Sequence, residues 1–324
     1  MYEVRHAGVK GFGLFATRAI PKGSRILAER PLLSVKSESE VFATTRSLSQ
    51  EDREALLQLS ISPIRKSSVL GWTQAAWQAT RQALSEGLKF AQRDSKAAAR
   101  LPTFQSITEH PEVLNVFRNN NFDLGGGKQA VFLEISRINH ACVPNAQGNF
   151  NSNLEQFAIH AIRDITTDEE ITLGYLAEHG ALKESRQSRL LSNYGFLCDC
   201  PACDSASPRS QVGEERRLGV QAKLHEYARQ AEEREHPDLQ TELGMTKELI
   251  ELFETEGLAG RELATMYLTA AELAAKAGKG YEGEVAMYAE KGLRLDLVCL
   301  GQDNPLFGAS VARAQAITGA RHDQ

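Results

Sequence analysis

Several things are scarce in this chain of 324 residues. No apolar run approaches the roughly 20 residues that a bilayer-spanning helix needs, so no membrane partner is expected. Met1-Tyr2-Glu3-Val4-Arg5 lacks the apolar core of a secretory signal. The chain therefore reads as intracellular, in cytoplasm, nucleus or both. Excess positive charge is missing too: the formal net charge is −5. No bulk field exists to hold a phosphate backbone, and direct nucleic-acid binding is not expected. Cysteine is rare, at five residues, and in a reducing compartment these should not be structural disulfides. What remains is an ordinary globular mixture, 42% apolar and 24% charged, long enough for two domains.

The chain changes character along its length. Residues 2 to 35 read as short strands broken by Gly8, Gly11, Gly13 and the turn Ile20-Pro21-Lys22-Gly23. Residues 36 to about 120 read as helical. Ser47 to Gln50 fits a capping box, Thr73 can cap a long helix reaching about Ala99, and Pro102 stops it. Pro111 fits the first turn of a further helix. Strand patterns return over Val131–Ile135, Phe157–Ile162 and Glu170–Leu173, and a short helix covers 183 to 197. Residues 204–214 (DSASPRSQVGE) read as a linker. Beyond it only helical periodicity is found. Leu263, Met266, Tyr267, Ala270, Leu273 and Ala274 share one face; Val285, Tyr288, Ala289 and Leu293 share another, across the turn Gly278-Lys279-Gly280. That is an αα-hairpin with a small-residue seam. It has a tetratricopeptide flavour but no clean repeat.

Four constellations could carry chemistry. Cys198-x-Cys200-x2-Cys203 places three thiols on one tight loop. A tetrahedral zinc ion wants four, and Cys142 is the obvious fourth donor. Such a closed site is structural, with no open position for an activated water. The segment Arg137-Ile138-Asn139-His140-Ala141-Cys142-Val143-Pro144-Asn145 brings a histidine within two residues of that cysteine. Lys10-Gly11-Phe12-Gly13-Leu14-Phe15 carries a Gly-x-Gly that lets backbone approach a ligand, without the third glycine of a dinucleotide fingerprint. Finally, Asp168-Glu169-Glu170-Ile171-Thr172-Leu173-Gly174-Tyr175 ends a strand. Adjacent carboxylates on a strand face opposite ways, so Glu169 and Glu170 cannot work as a pair and read as a solvated turn. Tyr175 is either core or catalytic on this evidence.

In order and spacing these elements resemble the SET-domain protein lysine methyltransferases. Gly11-x-Gly13-Leu14-Phe15-Ala16 resembles the opening motif of that family, and Asn120-Asn121-Phe122 an element preceding its central motif. Asn139-His140-x-Cys142-x-Pro144-Asn145 resembles the central motif, and Glu169-Glu170-Ile171-Thr172-x-x-Tyr175 the strand leading to the catalytic tyrosine. Tyr194-Gly195-Phe196-x-Cys198-x-Cys200-x2-Cys203 resembles the post-SET zinc loop. The departures are Phe12 where Arg or Lys is frequent, Ala141 in place of Ser, and Asp168 in place of Gly. An insertion followed by C-terminal helices looks like the SET-and-MYND group. The MYND finger itself is missing, since residues 36–109 contain neither Cys nor His.

The resemblance implies an α+β fold. Its parts are a SET domain over 1–203 with short β-sheets, a pseudoknot, a helical insertion at about 36–120 and a post-SET zinc loop at 194–203. The linker 204–214 and an α-helical, tetratricopeptide-like domain over 215–324 complete it. It implies methyl transfer from S-adenosylmethionine to a lysine amine on a protein or peptide, with Tyr175 orienting amine and methyl. Lys10, Gly11, Phe12, Gly13, Asn139 and His140 are implied to line the cofactor, with Tyr194 and Phe196 enclosing its adenine. One structural Zn²⁺ is implied on Cys142, Cys198, Cys200 and Cys203. The competing reading is a non-catalytic SET scaffold that binds proteins through its C-terminal helices. A zinc hydrolase fails, because four thiolates leave no place for water.

Overall fold

The structure, a computed structural model, describes residues 1–63, 104–232 and 238–319, with isolated positions 73, 76–77, 79–81 and 84 between them. Most of the expected helix from Thr73 to about Ala99, and its stop at Pro102, lie outside the described residues. The chain forms two compact units. One comprises Met1–Ala28, Ile138–Ser188 and Leu197–Gln324; the other comprises Glu29–Arg137 and Arg189–Phe196. Elements are numbered in chain order.

The first unit holds two small sheets. β1 (Tyr2–His6) and β2 (Phe12–Ala16) form an antiparallel hairpin, with Tyr2 opposite Ala16 and His6 opposite Phe12. β2 also pairs with β10 (Glu170–Leu173), which pairs in turn with the two-residue β7 (Asn139–His140), giving the order β1-β2-β10-β7. The second sheet has the order β3-β9-β8, from β3 (Arg25–Glu29), β9 (Gln156–Ala161) and β8 (Ala146–Asn151). β9 is buried at five successive positions, so helices cover the face that alternation would leave wet.

The C-terminal helices are α5 (Pro208–Glu232), α6 (Leu239–Glu256), α7 (Arg261–Ala277), α8 (Glu282–Leu300) and α9 (Pro305–Gly319), and α8 packs on β9 and β8. The segment expected as a linker is thus helical from Pro208 onward. Proline suits a first helical position, where its missing N–H would have no partner anyway. The αα-hairpin is α7 and α8. Leu263, Tyr267, Ala270, Leu273, Ala274, Val285 and Ala289 all lie in its core. The seam tolerates no side chain at Gly292: a Cβ there would sit 2.9 Å from Leu268 Cγ and 3.1 Å from the Ala264 carbonyl. Polar clasps join these helices to the second sheet. The Asn149 amide donates to the Cys299 carbonyl at 3.2 Å, and the Asn304 amide to the Phe150 carbonyl at 3.2 Å.

The second unit is a three-stranded sheet with helices. β4 (Leu33–Val35), β6 (Lys128–Val131) and β5 (Asn121–Gly125) run in the order β4-β6-β5. α1 (Glu38–Arg46), α2 (Gln50–Leu57) and α3 (Phe104–Asn120) bury Val41, Leu56, Val113 and Phe117 with Leu33 and Val131. Three local expectations differ. The cap of α2 is Ser49, whose hydroxyl accepts the Asp52 N–H at 3.0 Å, because Ser47 is used in ending α1. Pro111 lies inside α3, which is already helical at Phe104, well before the proline. The strand at Val131 stops there instead of reaching Ile135. The Glu29 carboxylate gathers the N–H groups of Leu133, Glu134 and Ile135, at 2.7, 3.1 and 3.0 Å. Donors converging on one point cannot serve a ladder, and a 3₁₀ turn over Ile135–Arg137 follows. Burial pushes the Glu29 carboxyl above its ordinary value despite these donors.

Two histidines are almost fully enclosed, His110 in one unit and His160 in the other. Burial is the main force lowering each to about 4, assisted by Arg118 beside His110 and Arg25 beside His160. An unfolded histidine titrates near 6.5, so each contributes stability that is complete above about 6.5 and lost as pH falls toward 4. The unfolding free energy from urea titration should therefore drop between pH 7 and pH 5, by on the order of 1–2 kcal/mol per histidine. His160→Gln should remove its share of the slope. An unchanged slope in that variant would contradict the assignment.

Candidate functional site

β10 assembles the site. It runs antiparallel to β2, with Glu170 opposite Phe15 and Ile171 opposite Leu14. It runs parallel to β7, with Thr172 opposite Asn139 and Leu173 opposite His140. The start of β2, the whole of β7 and the residues just after β10 therefore meet at one end of one sheet. Lys10, Gly11, Phe12, Gly13, Asn139, His140 and Tyr175 are the residues gathered there. β7 is only two residues long, and a side chain extends its pairing. Asn145, 1% exposed, accepts the Thr172 N–H on Oδ1 at 2.8 Å and donates from Nδ2 to the Glu170 carbonyl at 2.8 Å.

Asn139 is held from two sides. Its Nδ2 donates to the Phe12 carbonyl at 3.1 Å and to Glu170 Oε1 at 2.8 Å. Gly13 makes this approach possible: a Cβ there would lie 2.8 Å from Glu170 Oε1 and 2.9 Å from Asn139 Nδ2. Lys10 Nζ lies 3.3 Å from Glu170 Oε2 and 3.9 Å from Asp199 Oδ1, which ties the opening motif to the cysteine loop. Phe12 is exposed and meets His6 edge-on at 6.1 Å.

The two glutamates serve different partners, and neither is merely solvated. Glu170 serves Asn139 and Lys10. Glu169 accepts from Asn145 Nδ2 at 2.9 Å and from the Thr166 N–H at 3.0 Å, and pairs with Arg163 at 2.6 Å. Partial burial pushes the Glu169 carboxyl up, but these partners outweigh it and hold it at about 2. Asp168 before them has a φ of 64°. That left-handed conformation is the one glycine adopts freely and aspartate tolerates. Arg5 binds both its side chain and its carbonyl at 3.1 Å.

His140 and Tyr175 are interlocked. The Tyr175 hydroxyl donates to the Ile138 carbonyl at 2.7 Å. The Tyr175 N–H donates to His140 Nδ1 at 3.0 Å, and the rings lie 5.2 Å apart. Burial, the largest influence, lowers His140 to about 4, so its ring is neutral and carries one proton near pH 7. With Nδ1 accepting, that proton sits on Nε2, which faces Cys142 Sγ at 3.4 Å. The imidazole therefore connects the tyrosine to a cysteine.

That cysteine belongs to a cluster. Cys142, Cys198, Cys200 and Cys203 are buried, and their sulfurs lie within 4.8 Å of one another. Cys142 Sγ is 3.9 Å from Cys198 Sγ and 3.5 Å from Cys203 Sγ. A regular tetrahedron of 2.3 Å metal–sulfur bonds has edges of about 3.8 Å, so the donor set fits a thiophilic ion. Helix α4 (Lys183–Tyr194) positions the loop. The Gln187 amide accepts the Cys198 N–H and donates to the Cys198 carbonyl, both at 2.7 Å. Tyr194 and Phe196 belong to the second unit, with ring centroids 6.3 Å apart. They are not among the residues that the first unit gathers. Sequence reasoning missed Glu170 and Gln187. The Glu-Glu pair marked the former, whereas nothing in the residue pattern distinguishes Gln187 from any helical glutamine.

A family model described as SET domain matches residues 11–176, half of the chain, and the chain belongs to that family. It is 29% identical over 208 residues to "Histone-lysine N-methyltransferase set5" of Schizosaccharomyces pombe (strain 972 / ATCC 24843), covering 63% of this chain and 50% of that protein. It is 36% identical over 87 residues to "Protein-lysine N-trimethyltransferase SMYD5" of Homo sapiens, covering 26% of this chain and 21% of that protein. The matches thus span half or less of these relatives' own lengths. A solved structure titled "Structure of Rubisco LSMT bound to AdoMet" aligns with a TM-score of 0.40 and 14% identity, over 99% of this chain and 87% of that one.

The sulfur geometry has a direct check. Elemental analysis of the purified chain should find about one thiophilic metal ion per molecule. Cys142→Ser should cut that occupancy by about half or more after dialysis, since three ligands hold such an ion more weakly than four. Full retention in the variant would remove Cys142 from the ligand set.

Proposed function

We propose that this member of the SET domain family transfers a methyl group from S-adenosylmethionine to the side-chain amine of a lysine on a protein or peptide. Family membership and relatives named as histone-lysine and protein-lysine methyltransferases support the reaction class. The observation that carries the reading is the parallel pairing of β7 with β10, which gathers Asn139, His140 and Tyr175 beside the Gly11-Phe12-Gly13 backbone.

S-adenosylmethionine supplies a methyl group on a sulfonium; the amine nitrogen forms the new bond to carbon, the carbon–sulfur pair stays on sulfur, and a proton leaves the amine to solvent. The amine must be neutral first. Free lysine has a pKa of about 10.4, so at pH 7.4 only about one in a thousand is neutral, a cost of roughly 4 kcal/mol. An apolar channel and a nearby positive charge both lower that cost. The contribution of the chain is orientation. A tyrosine hydroxyl that gives its proton to the Ile138 carbonyl acts toward a further group as an acceptor, which suits holding an amine N–H in line. Tyr175 is thus an aligner and not a base. Asn139, its Nδ2 committed to Phe12 and Glu170, presents its amide carbonyl to cofactor donors. Gly11 and Gly13 let backbone approach the cofactor, with Lys10 and Phe12 at its edge. The four cysteines would hold one zinc ion with every ligand position taken, so its work is structural.

Calorimetric titration with S-adenosylmethionine should show saturable one-to-one binding, weakened in Asn139→Ala. Absence of binding to a folded, metal-loaded sample would move the assignment to a non-catalytic scaffold. Tyr175→Phe should keep cofactor affinity and lower kcat on a peptide library by about 100-fold. Unchanged turnover in that variant would sink the role given to Tyr175.

A further inference from the structure

Arg186, on α4, is the largest fully buried side chain among the described residues, 1% exposed. Its guanidinium donates to the Ala181 carbonyl and, at 3.3 Å, to the Ala202 carbonyl. Its Nε has no hydrogen-bond partner among the described residues. Carbonyls satisfy donors but do not neutralise a full charge. The carboxylate paired with it is that of Glu214, 3.9 Å away, which also faces buried Arg217 at 4.0 Å and accepts the Lys183 N–H at 2.7 Å. Glu256 is engaged by Arg217 at 2.9 Å and by Arg216. Among the described residues, then, three guanidiniums share two carboxylates around this pocket. A buried charge without its counter-charge costs several kcal/mol.

The missing negative charge has one source nearby. Arg186 Nη2 lies 3.9 Å from Cys203 Sγ. Four cysteines bound to a divalent ion are thiolates, and the resulting centre carries a net charge of −2.

We propose that Arg186 is the counter-charge of the sulfur site, so that its burial and metal binding stabilise each other. The claim rests on reading the four cysteines as a metal centre and goes beyond it. It makes Arg186 a positioning residue for the ion, although it donates no ligand atom. It also has a directional consequence. With the ion present, Arg186 faces a centre of net negative charge; with the ion stripped, it keeps only the Glu214 carboxylate, shared with Arg217, and contributes less to the fold. A residue that only filled space would stabilise both forms.

The test uses the full chain carrying Arg186→Gln, which keeps amide donors for the carbonyls but no charge. Arg186→Lys, which restores a charge on another shape, is the rescue variant. Zinc affinity is read by competition with a chromophoric chelator, and the unfolding midpoint is read for loaded and stripped protein. We expect Arg186→Gln to weaken zinc binding about 10–100-fold, the range for outer partners of metal ligands. Its loaded midpoint should fall further than its stripped midpoint, and Arg186→Lys should recover most of the affinity. Affinity within about twofold of wild type in Arg186→Gln would overturn the proposal, as would equal loss of midpoint in loaded and stripped forms. If Arg186→Gln does not fold, Arg186→Lys decides: the proposal requires zinc affinity near that of wild type, and a loss of about 10–100-fold despite the retained charge overturns it. A wild-type chain that binds no zinc would fail the metal reading itself, a result distinct from either.

Discussion

β10 is hydrogen-bonded along both edges at once, to an antiparallel strand on one side and a parallel strand on the other. A register slip of one residue on either side would turn every side chain of the slipped strand to the opposite face. Asn139 would leave Glu170, and His140 would leave Tyr175. Two residues of β7 are too few to specify a register by themselves. Asn145 supplies what is missing, gripping the Thr172 N–H and the Glu170 carbonyl with one amide. The Gly13 clearance, the Glu170 contact and the tyrosine position all follow from that pairing.

His140 carries the arrangement further. One neutral imidazole accepts the Tyr175 N–H and faces Cys142 Sγ with its protonated nitrogen. The sulfur cluster and the tyrosine are therefore two ends of one hydrogen-bonded segment. Lys10 adds a second link, reaching Glu170 in the sheet and Asp199 in the cysteine loop. A structural ion in such a place would do more than staple a loop. It would fix the tautomer of the residue that orients Tyr175, as outer hydrogen bonds commonly do at metal sites.

Much of this was legible in the residues. The C-x-C-x2-C spacing and Cys142 named the sulfur cluster, and the motif order named the family. Small residues at helical spacing named the α7–α8 seam, though only the close approach of Leu268 shows why Gly292 must lack a side chain. What escaped were effects of side chains on distant backbone. Glu29 ends a strand by collecting N–H groups from residues beyond 130, and no local pattern contains both partners. Arg186 looked like any cation on an amphipathic helix, because burial is set by what folds over it. The carboxylates at 169 and 170 read as solvated because charge normally is; Arg163, Asn145, Lys10 and Asn139 reverse that.

The first unit is discontinuous in the chain, with residues 29–137 belonging to the other. On the ribosome this sets a schedule. The β1–β2 hairpin emerges long before β10: the partner of Phe15 is Glu170, and Cys142 waits for a loop beginning at Cys198. At about 5–20 residues per second, the free edge of β2 goes without its neighbour for roughly 8–30 s. Unpaired strand edges are templates for association with other chains. Birth is thus the hazardous interval for this protein, and the local contacts of the second unit can mature while the first is still waiting.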